Sequence, residues 1–452
     1  MNSDTIVAPA TPYGVGGIAV VRLNGPESKQ IVNKLIKNKT LSTKLVPRNA
    51  FVFKLVDEQG QEIDETVITY FKAPASYTGD DLIEIACHGN PVLVDKIVAT
   101  CCKHGARIAE PGEFTKIAYI NGKLDLIQAE AVGALIHSQS EESSKLNFRL
   151  LKGELSKKIL QLQADLISAL GIVEFELDIS EEKLQPDLKY RVSEVVQQQI
   201  NIVQNLLGTY KQARLLNRGA LVIIVGAPNV GKSTLLNILT ETDRAITSER
   251  PGTTRDAINV PLLLDGVPIN LVDTAGIQQS TDDIELEGVK RTFNYLKDAD
   301  LIIYIQDTEN EGTERSVATS DITKINVINK ADLLTNKQIN KIQKTFLDYL
   351  LISAKTGFNI DELKKSIKSS LGINPVLSNN SVSITNQRQH EALLGCLSNL
   401  KSAESLLNWE NIAYELVSIE LRDALTSIDS ILGKTTPDDI LNNIFGKFCV
   451  GK

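Results

Sequence analysis

The sequence predicts a multidomain α/β protein: a mixed α/β amino-terminal domain, a discontinuous all-α helical domain, and a doubly wound, parallel-sheet domain inserted into the helical one. Three observations carry this expectation. Residues 1–118 mix β-branched runs with Gly/Pro turns, and apolar residues at three- and four-residue steps fill two separated stretches, 119–216 and 376–452. Between those stretches, residues 217–375 alternate strand-like and helix-like segments. At 452 residues the chain is about three times a ~150-residue domain, so several domains are expected.

In the first region, Gly17-Ile18-Ala19-Val20-Val21 and Ala50-Phe51-Val52-Phe53-Lys54-Leu55 read as strands, and Pro91 to Val98 as the opening of a helix. From Leu124 the texture changes. Leu126, Ala129, Ala131, Ala134 and Leu135, then Leu155, Ile159, Leu162, Leu166, Leu170 and Val173, show the spacing of amphipathic helix, which continues to about Leu216. A polar, Ser/Asn-rich connection covers Asn374 to Thr385. After it Leu393, Leu397, Leu400 and Leu407, then Leu416, Ile419, Ala424, Leu425, Ile428 and Ile431, return to helical spacing. Neither helical half closes a core by itself, so one split domain is simpler than two bundles.

Composition narrows the function. The net charge is −8, and residues 1–118 hold equal numbers of basic and acidic side chains. Neither gives the basic footprint of tight, unaided nucleic-acid binding, so a nucleic-acid substrate needs a local patch or a basic partner. The opening MNSDTIVAPATP is neither a signal nor a transit peptide, and no apolar run approaches the ~18 residues that span a membrane. The five cysteines (Cys87, Cys101, Cys102, Cys396, Cys449) are irregularly spaced with no CxxC, which argues against zinc and a disulfide framework. A cytoplasmic protein is expected. Cys87, Cys101 and Cys102 read as core, and His88, in a Gly-containing turn, as a structural or pocket residue.

The inserted region carries the chemistry. Leu221-Val222-Ile223-Ile224-Val225 is a β-branched strand that runs into Gly226-Ala227-Pro228-Asn229-Val230-Gly231-Lys232-Ser233-Thr234 and then a helical Leu235-Leu236-Asn237-Ile238-Leu239. GxxxxGKS between strand and helix is a P-loop. Glycines let backbone N–H groups from Asn229 to Thr234 wrap the phosphates, Lys232 reaches the β/γ oxygens, and Ser233 offers a hydroxyl to Mg²⁺. Asp273-Thr274-Ala275-Gly276 places a carboxylate near the Mg²⁺ shell and a glycine N–H near the γ-phosphate. In Asn329-Lys330-Ala331-Asp332 the last carboxylate accepts from guanine N1–H and the exocyclic amine, and adenine would leave it unpaired. Ser353-Ala354-Lys355 reads as the backbone loop over the base. Four ordered motifs make GTP the nucleotide.

Arg244 to Asp256, with Gly252-Thr253-Thr254-Arg255-Asp256, is the expected first switch. Thr254 is the Mg²⁺ and catalytic candidate there, and Thr253 the runner-up. Ile277 stands where Ras-type proteins hold a water-orienting Gln, so another group must assist attack. Gln278 and Gln279 read better as exposed loop side chains. Glu285 is ambiguous from physics alone.

The Asn229-containing P-loop, GTTRD, DTAG followed by an aliphatic residue, and NKAD together resemble the TrmE–Era–EngA class of bacterial GTPases. The flanks narrow the resemblance to the MnmE (TrmE) family of tRNA-modification GTPases. They include Asp4-Thr5-Ile6-Val7-Ala8 with Thr11 to Arg22, Ser76-Tyr77-Thr78-Gly79-Asp80-Asp81, and His88-Gly89-Asn90-Pro91. Pro111-Gly112-Glu113-Phe114-Thr115, Asn121 to Leu126, and the final Phe448-Cys449-Val450-Gly451-Lys452 extend it over essentially the whole chain. Val450, where that family more often shows Ile, is a mild departure; Ser248 and Arg250 also differ from commoner choices.

The resemblance implies an N-terminal domain that binds 5-formyltetrahydrofolate or a related tetrahydrofolate and forms a homodimer. It implies work with an FAD-carrying partner, MnmG, in an expected heterotetramer that adds an aminomethyl or carboxymethylaminomethyl group to C5 of the tRNA wobble uridine. Folate contacts carry over to Arg22, Glu84, Lys123 and Lys452. Asn229, Ser248, Arg250 and Thr253 become K⁺ ligands, Ser248 also falling within the GTP site, and Glu285 becomes the residue that positions attacking water. GTP and K⁺ would bring two G domains together. Cys449 has two readings, a nucleophile in the modification chemistry or an inert thiol bordering the folate pocket. No neighbouring His or Cys pair supports activation, which favours the second. The alternative function is a ribosome-assembly or regulatory GTPase of the Era or EngA kind, but no second GKS motif or KH-like GXXG loop is visible.

Overall fold

The structure, a computed structural model, describes residues 4–37, 45–179, 186–242, 259–264, 266–273, 298–307, 322–372, 382–435 and 437–451. Packing divides the chain into two compact units, one of Met1–Gly133, Leu150–Phe175 and Ser418–Lys452, the other of Ala134–Arg149 and Glu176–Val417.

The first unit is built on β1 (Ile6–Pro9), β2 (Ile18–Asn24), β3 (Ala50–Val56), β4 (Glu62–Phe71), β5 (Leu82–His88) and β6 (Arg107–Ile108). They form one sheet in the order β3-β4-β5-β2-β1-β6, antiparallel except where β1 meets β6. Alternation decides the two faces. Val21, Leu23, Ile68, Ile83 and Ile85 face helices α1 (Ser28–Leu35) and α2 (Pro91–Lys103), which bring Ile31, Leu35, Val94, Ile97 and Cys101. Helix α2 starts where the proline predicts, because Pro91 occupies its first turn and the Asn90 side chain accepts the Val92 N–H at 2.9 Å. On the opposite face Ile6, Ala8 and Leu82 pack with Ala109 and with Phe114 of α3 (Glu113–Ile120).

The helical stretches are α4 (Leu126–Ile136), α5 (Glu141–Leu151), α6 (Glu154–Ile179), α7 (Pro186–Arg218), α11 (Gln387–Leu407), α12 (Tyr414–Leu432) and α13 (Asp438–Phe445). In the first unit Leu126 and Ala129 pack with Leu441 and Phe445, and Arg422 pairs with Glu174 at 2.6 Å. The buried stripe of α12 is Tyr414, Val417, Leu421, Ala424, Ile428 and Ile431, whereas Leu416 and Ile419 are exposed. The stretch is helical as its spacing predicts, with apolar residues at compatible steps on two faces of which one is buried.

The second unit holds the inserted sheet: β7 (Ala220–Val225), β8 (Asn259–Leu264), β9 (Val267–Asp273), β10 (Leu301–Asp307), β11 (Lys324–Asn329) and β12 (Tyr349–Leu351). The order is β12-β11-β10-β7-β9-β8, parallel throughout except for β8 against β9. Val222 and Ile224 face α8 (Lys232–Thr242) and α10 (Ile360–Leu371) through Leu235, Leu239, Leu363 and Ile367. Ile328 and Leu351 instead meet Ile342 of α9 (Asn336–Thr345). Helices on both faces make the sheet doubly wound, as expected. At the end distant from the P-loop, Arg214 and Arg218 of α7 reach Asp300 at 2.7 and 3.0 Å, and Asp300 also accepts the Leu221 N–H at 2.9 Å.

Candidate guanine-nucleotide site

Strand β7 lies between β10 and β9, the point where strand order reverses, and its C-terminal end opens into the P-loop. Ligands of open α/β sheets bind at such a crevice. Gly226 is required there, because a Cβ would collide with the Ile305 carbonyl of the adjacent strand. Asn229 adopts a left-handed backbone with φ 65°, which Asn tolerates better than most residues. Lys232 is buried at the first turn of α8 and donates to the Gly226 and Ala227 carbonyls at 2.9 and 2.8 Å. An ammonium therefore sits at a helix N-terminus, where backbone N–H groups already favour an anion. Ser233 and Thr234 are exposed in the same turn.

The base side is a set of clips. The buried Asn329 side chain donates to the Val230 carbonyl and accepts the Ala354 N–H, each at 2.9 Å. It thus ties the P-loop to the Ser353-Ala354-Lys355 loop, and its removal would strand two buried backbone groups at about 1–3 kcal/mol each. Lys330 has φ 65°, and its ammonium lies 2.9 Å from the carboxylate of buried Asp307. Asp332 is exposed on the short 3₁₀ turn Ala331–Leu333 and accepts the Ser353 hydroxyl at 2.6 Å. That hydrogen bond holds its carboxyl below the ordinary carboxylate range. Ser353 is fully buried, and Lys355 is exposed.

The fold therefore gathers Asn229, Val230, Gly231, Lys232, Ser233 and Thr234 with Asn329, Lys330, Asp332, Ser353, Ala354 and Lys355. Asp273 ends β9, paired in register with Ile224, two residues before Gly226. Thr274, Ala275, Gly276, Ser248, Arg250, Thr253, Thr254 and Glu285 lie outside the described residues. Asp307 was missed in the sequence. Its signal was a charged residue closing the mostly apolar strand Leu301–Asp307.

The amino-terminal unit holds a second constellation. Arg22 and Glu84 are direct cross-strand partners, with Nη2 and Nε of Arg22 at 2.7 and 3.2 Å from Glu84 Oε1. The guanidinium lies 5.7 Å from the ring centroids of both Tyr77 and Phe114. Its Nη1 donates to the Gly451 carbonyl at 3.3 Å. Gly451 lies against the Pro9 carbonyl with no room for a side chain, Val450 bridges to Pro111, and the Gly112 N–H reaches the Cys449 carbonyl at 3.3 Å. Lys123 donates to the Pro74 carbonyl at 3.0 Å, and Lys452 lies outside the described residues.

Among the thiols, Cys449 is exposed, whereas burial pushes Cys101 and Cys396 up to about 12. Those two stay protonated at neutral pH, consistent with core roles, and Cys87 is likewise buried while Cys102 is half-buried. His88 is exposed at the end of β5, with Nδ1 2.7 Å from the Asp64 carboxylate.

A doubly wound sheet with a P-loop at its switch point and an NKAD turn whose carboxylate is anchored by Ser353 defines a P-loop GTPase. The family model described as "MnmE helical domain" matches residues 126–449, and that described as "GTP-binding protein TrmE N-terminus" matches residues 5–123. The tRNA modification GTPase MnmE of Aquifex aeolicus is 39% identical over 460 residues, covering 99% of this chain and 100% of that protein. The protein of the same description from Thermotoga maritima is 40% identical over 461 residues, with 99% and 100% coverage. Among solved structures, a crystal structure of Aquifex aeolicus Era shows 29% identity over 40% of this chain and 66% of that chain, at a TM-score of 0.27. This chain belongs to the MnmE family of tRNA modification GTPases. Among the described residues no helix is long and apolar enough to cross a membrane.

Proposed function

We propose that this chain is the GTP-hydrolysing subunit of a cytoplasmic complex that modifies C5 of the tRNA wobble uridine with a carboxymethylaminomethyl or aminomethyl group. The observation that carries the reading is Asp332, held ionised by Ser353 on a turn that Asn329 ties to the P-loop. Only a base presenting two adjacent donors satisfies that carboxylate. Lys232 then meets the β/γ phosphates. Ser233 and Thr254 would hold Mg²⁺, and Asn229 with oxygens of the loop around Ser248, Arg250 and Thr253 would hold K⁺, which would supply positive charge in place of an arginine finger. Glu285 positions the attacking water, and pairing of two G domains switches hydrolysis on.

The proposed organisation is an N-terminal folate-binding and dimerising domain over 1–118, a helical domain over 119–216 and 376–452, and a G domain over 217–375. Arg22, Glu84, Lys123 and Lys452 would hold a tetrahydrofolate, which supplies a one-carbon unit when bound. The Arg22–Glu84 pair against Tyr77 and Phe114 fits such a ligand, because it offers donors and an acceptor beside aromatic faces. Cys449 is read as a thiol bordering that pocket. The homodimer joins the FAD-carrying partner, MnmG, in a heterotetramer with tRNA as substrate.

The test is to quantify wobble-uridine modification in cells carrying the wild-type chain, Lys232→Ala, or a chain lacking Lys452. Loss in both variants is expected; normal nucleoside profiles in both would remove the tRNA assignment. Turnover should also depend on K⁺ over Na⁺ and collapse in Asn229→Ala, and equal rates in the two salts would dispose of the K⁺ role.

A further inference from the structure

All three polar side chains of Asn329-Lys330-Ala331-Asp332 are anchored on protein groups. Asn329 holds Val230 and Ala354, and Asp332 holds Ser353, so these partners belong to recognised nucleotide motifs. The partner of Lys330 does not. Asp307 ends β10, stands beside Asn329 in the β10–β11 register, and is only 6% exposed. A carboxylate so buried is expensive to desolvate and is retained where an opposite charge meets it, here Lys330 Nζ at 2.9 Å. Lys330 has φ 65°, a conformation that a long side chain adopts only when its surroundings enforce it. The ion pair fixes the residue at which the chain leaves β11 and turns towards Asp332, two residues on.

We infer that Asp307 is a positioning residue for guanine recognition, acting through Lys330 to hold the turn that presents Asp332 to the base. The inference rests on the GTP reading of the site. Asp332 faces two donors on guanine, but only the ring N–H on hypoxanthine, which lacks the exocyclic amine. Precise placement of the carboxylate therefore raises the preference for guanine over hypoxanthine nucleotides, and a loosened turn lowers it. General destabilisation weakens both ligands alike.

The experiment compares dissociation constants of fluorescent mant-GDP and mant-IDP on the full-length chain. It uses the wild type, Asp307→Asn, Asp307→Glu, Lys330→Met and the double variant Asp307→Asn/Lys330→Met. Asp307→Asn and Lys330→Met should each weaken mant-GDP binding about 10-fold and cut the GDP:IDP preference several-fold, about 10-fold corresponding to ~1.4 kcal/mol. The double variant should be no worse than the poorer single variant, because both changes remove one interaction. Asp307→Glu, which keeps the charge, should recover part of the preference. If Asp307→Asn does not fold, Lys330→Met and Asp307→Glu carry the same comparison. An unchanged GDP:IDP ratio, or additive losses in the double variant, would overturn the positioning role. Failure of the wild-type chain to bind either nucleotide would instead sink the GTP reading itself.

Discussion

The two candidate ligand-binding regions are assembled in opposite ways. In the G domain, the candidate site residues that the structure describes sit in short contiguous runs at the ends of parallel strands, and the runs are held together by clips such as Asn329. In the amino-terminal unit the pair Arg22–Glu84 joins residues 62 apart, and the Gly451 carbonyl reaches Arg22 across 429 positions. A loop at a strand end can carry a whole function in a few residues. A sheet face must recruit its function from wherever the chain returns. The first kind of site should fail by single motif residues without disturbing the second.

The largest expected effect follows. Lys232→Ala should reduce GTP turnover by roughly 10²–10³-fold, the scale for losing one preorganised electrostatic group. Calorimetry with 5-formyltetrahydrofolate should show unchanged affinity, and a parallel loss there would break the independence of the two sites.

Next in size is Asp332→Asn. It removes two hydrogen bonds to a charged acceptor, each about 1.5 kcal/mol at the low end, so GDP binding should weaken roughly 10²-fold. Xanthine nucleotides, which present an acceptor where guanine has its amine, should gain in relative terms. Equilibrium binding of mant-GDP and mant-XDP measures the exchange, and an unaltered preference would refute the role of Asp332.

Arg22→Ala should weaken folate binding about 10-fold, the worth of a charge-assisted hydrogen bond, while leaving GTP turnover in place. Deleting residues 449–452 should act on the same side of the comparison, since it takes away the Gly451 carbonyl that Arg22 meets. If the deletion instead lowers GDP affinity, the two regions are not separable.

The smallest effect concerns pH. The Ser353 hydroxyl depresses the Asp332 pKa, so the carboxylate stays ionised to lower pH than an ordinary Asp. Guanine affinity is present above that depressed pKa and fades as pH falls through it, when protonation replaces an acceptor with a donor. Ser353→Ala lets the pKa rise, so the acid limb of mant-GDP binding should move to higher pH. Superimposable limbs would show that the hydroxyl does not tune this carboxyl.

What was legible in the sequence tracks the same contrast. Val222-Ile223-Ile224 followed by Gly226 to Ser233 identifies strand, loop and helix at once, because the residues that make the turn are those that make the site. Asn329 was legible as a nucleotide-motif residue but not as a clip, since its partners Val230 and Ala354 are 99 and 25 residues away. Asp307 escaped notice because an acidic residue at a strand end reads as a solvated terminus until burial and Lys330 are seen beside it. Helical spacing over Leu416 to Ile431 was legible, but periodicity does not say which of two apolar faces meets the core, and Leu416 and Ile419 fall on the exposed one. The link from Arg22 to Gly451 has no local signature, and only family resemblance placed the C-terminal segment beside that arginine.

That last contact bears on how the protein is made. Ribosomes add about 5–20 residues per second, so the 429 positions between Arg22 and Gly451 take roughly twenty seconds to a minute and a half to synthesise. Once β6 has emerged, the nascent amino-terminal sheet can fold for the rest of that interval, yet Arg22 lacks one of its native acceptors. A prematurely terminated polypeptide would thus leave Arg22 without the Gly451 carbonyl, and its first domain would lack a contact that the finished chain makes.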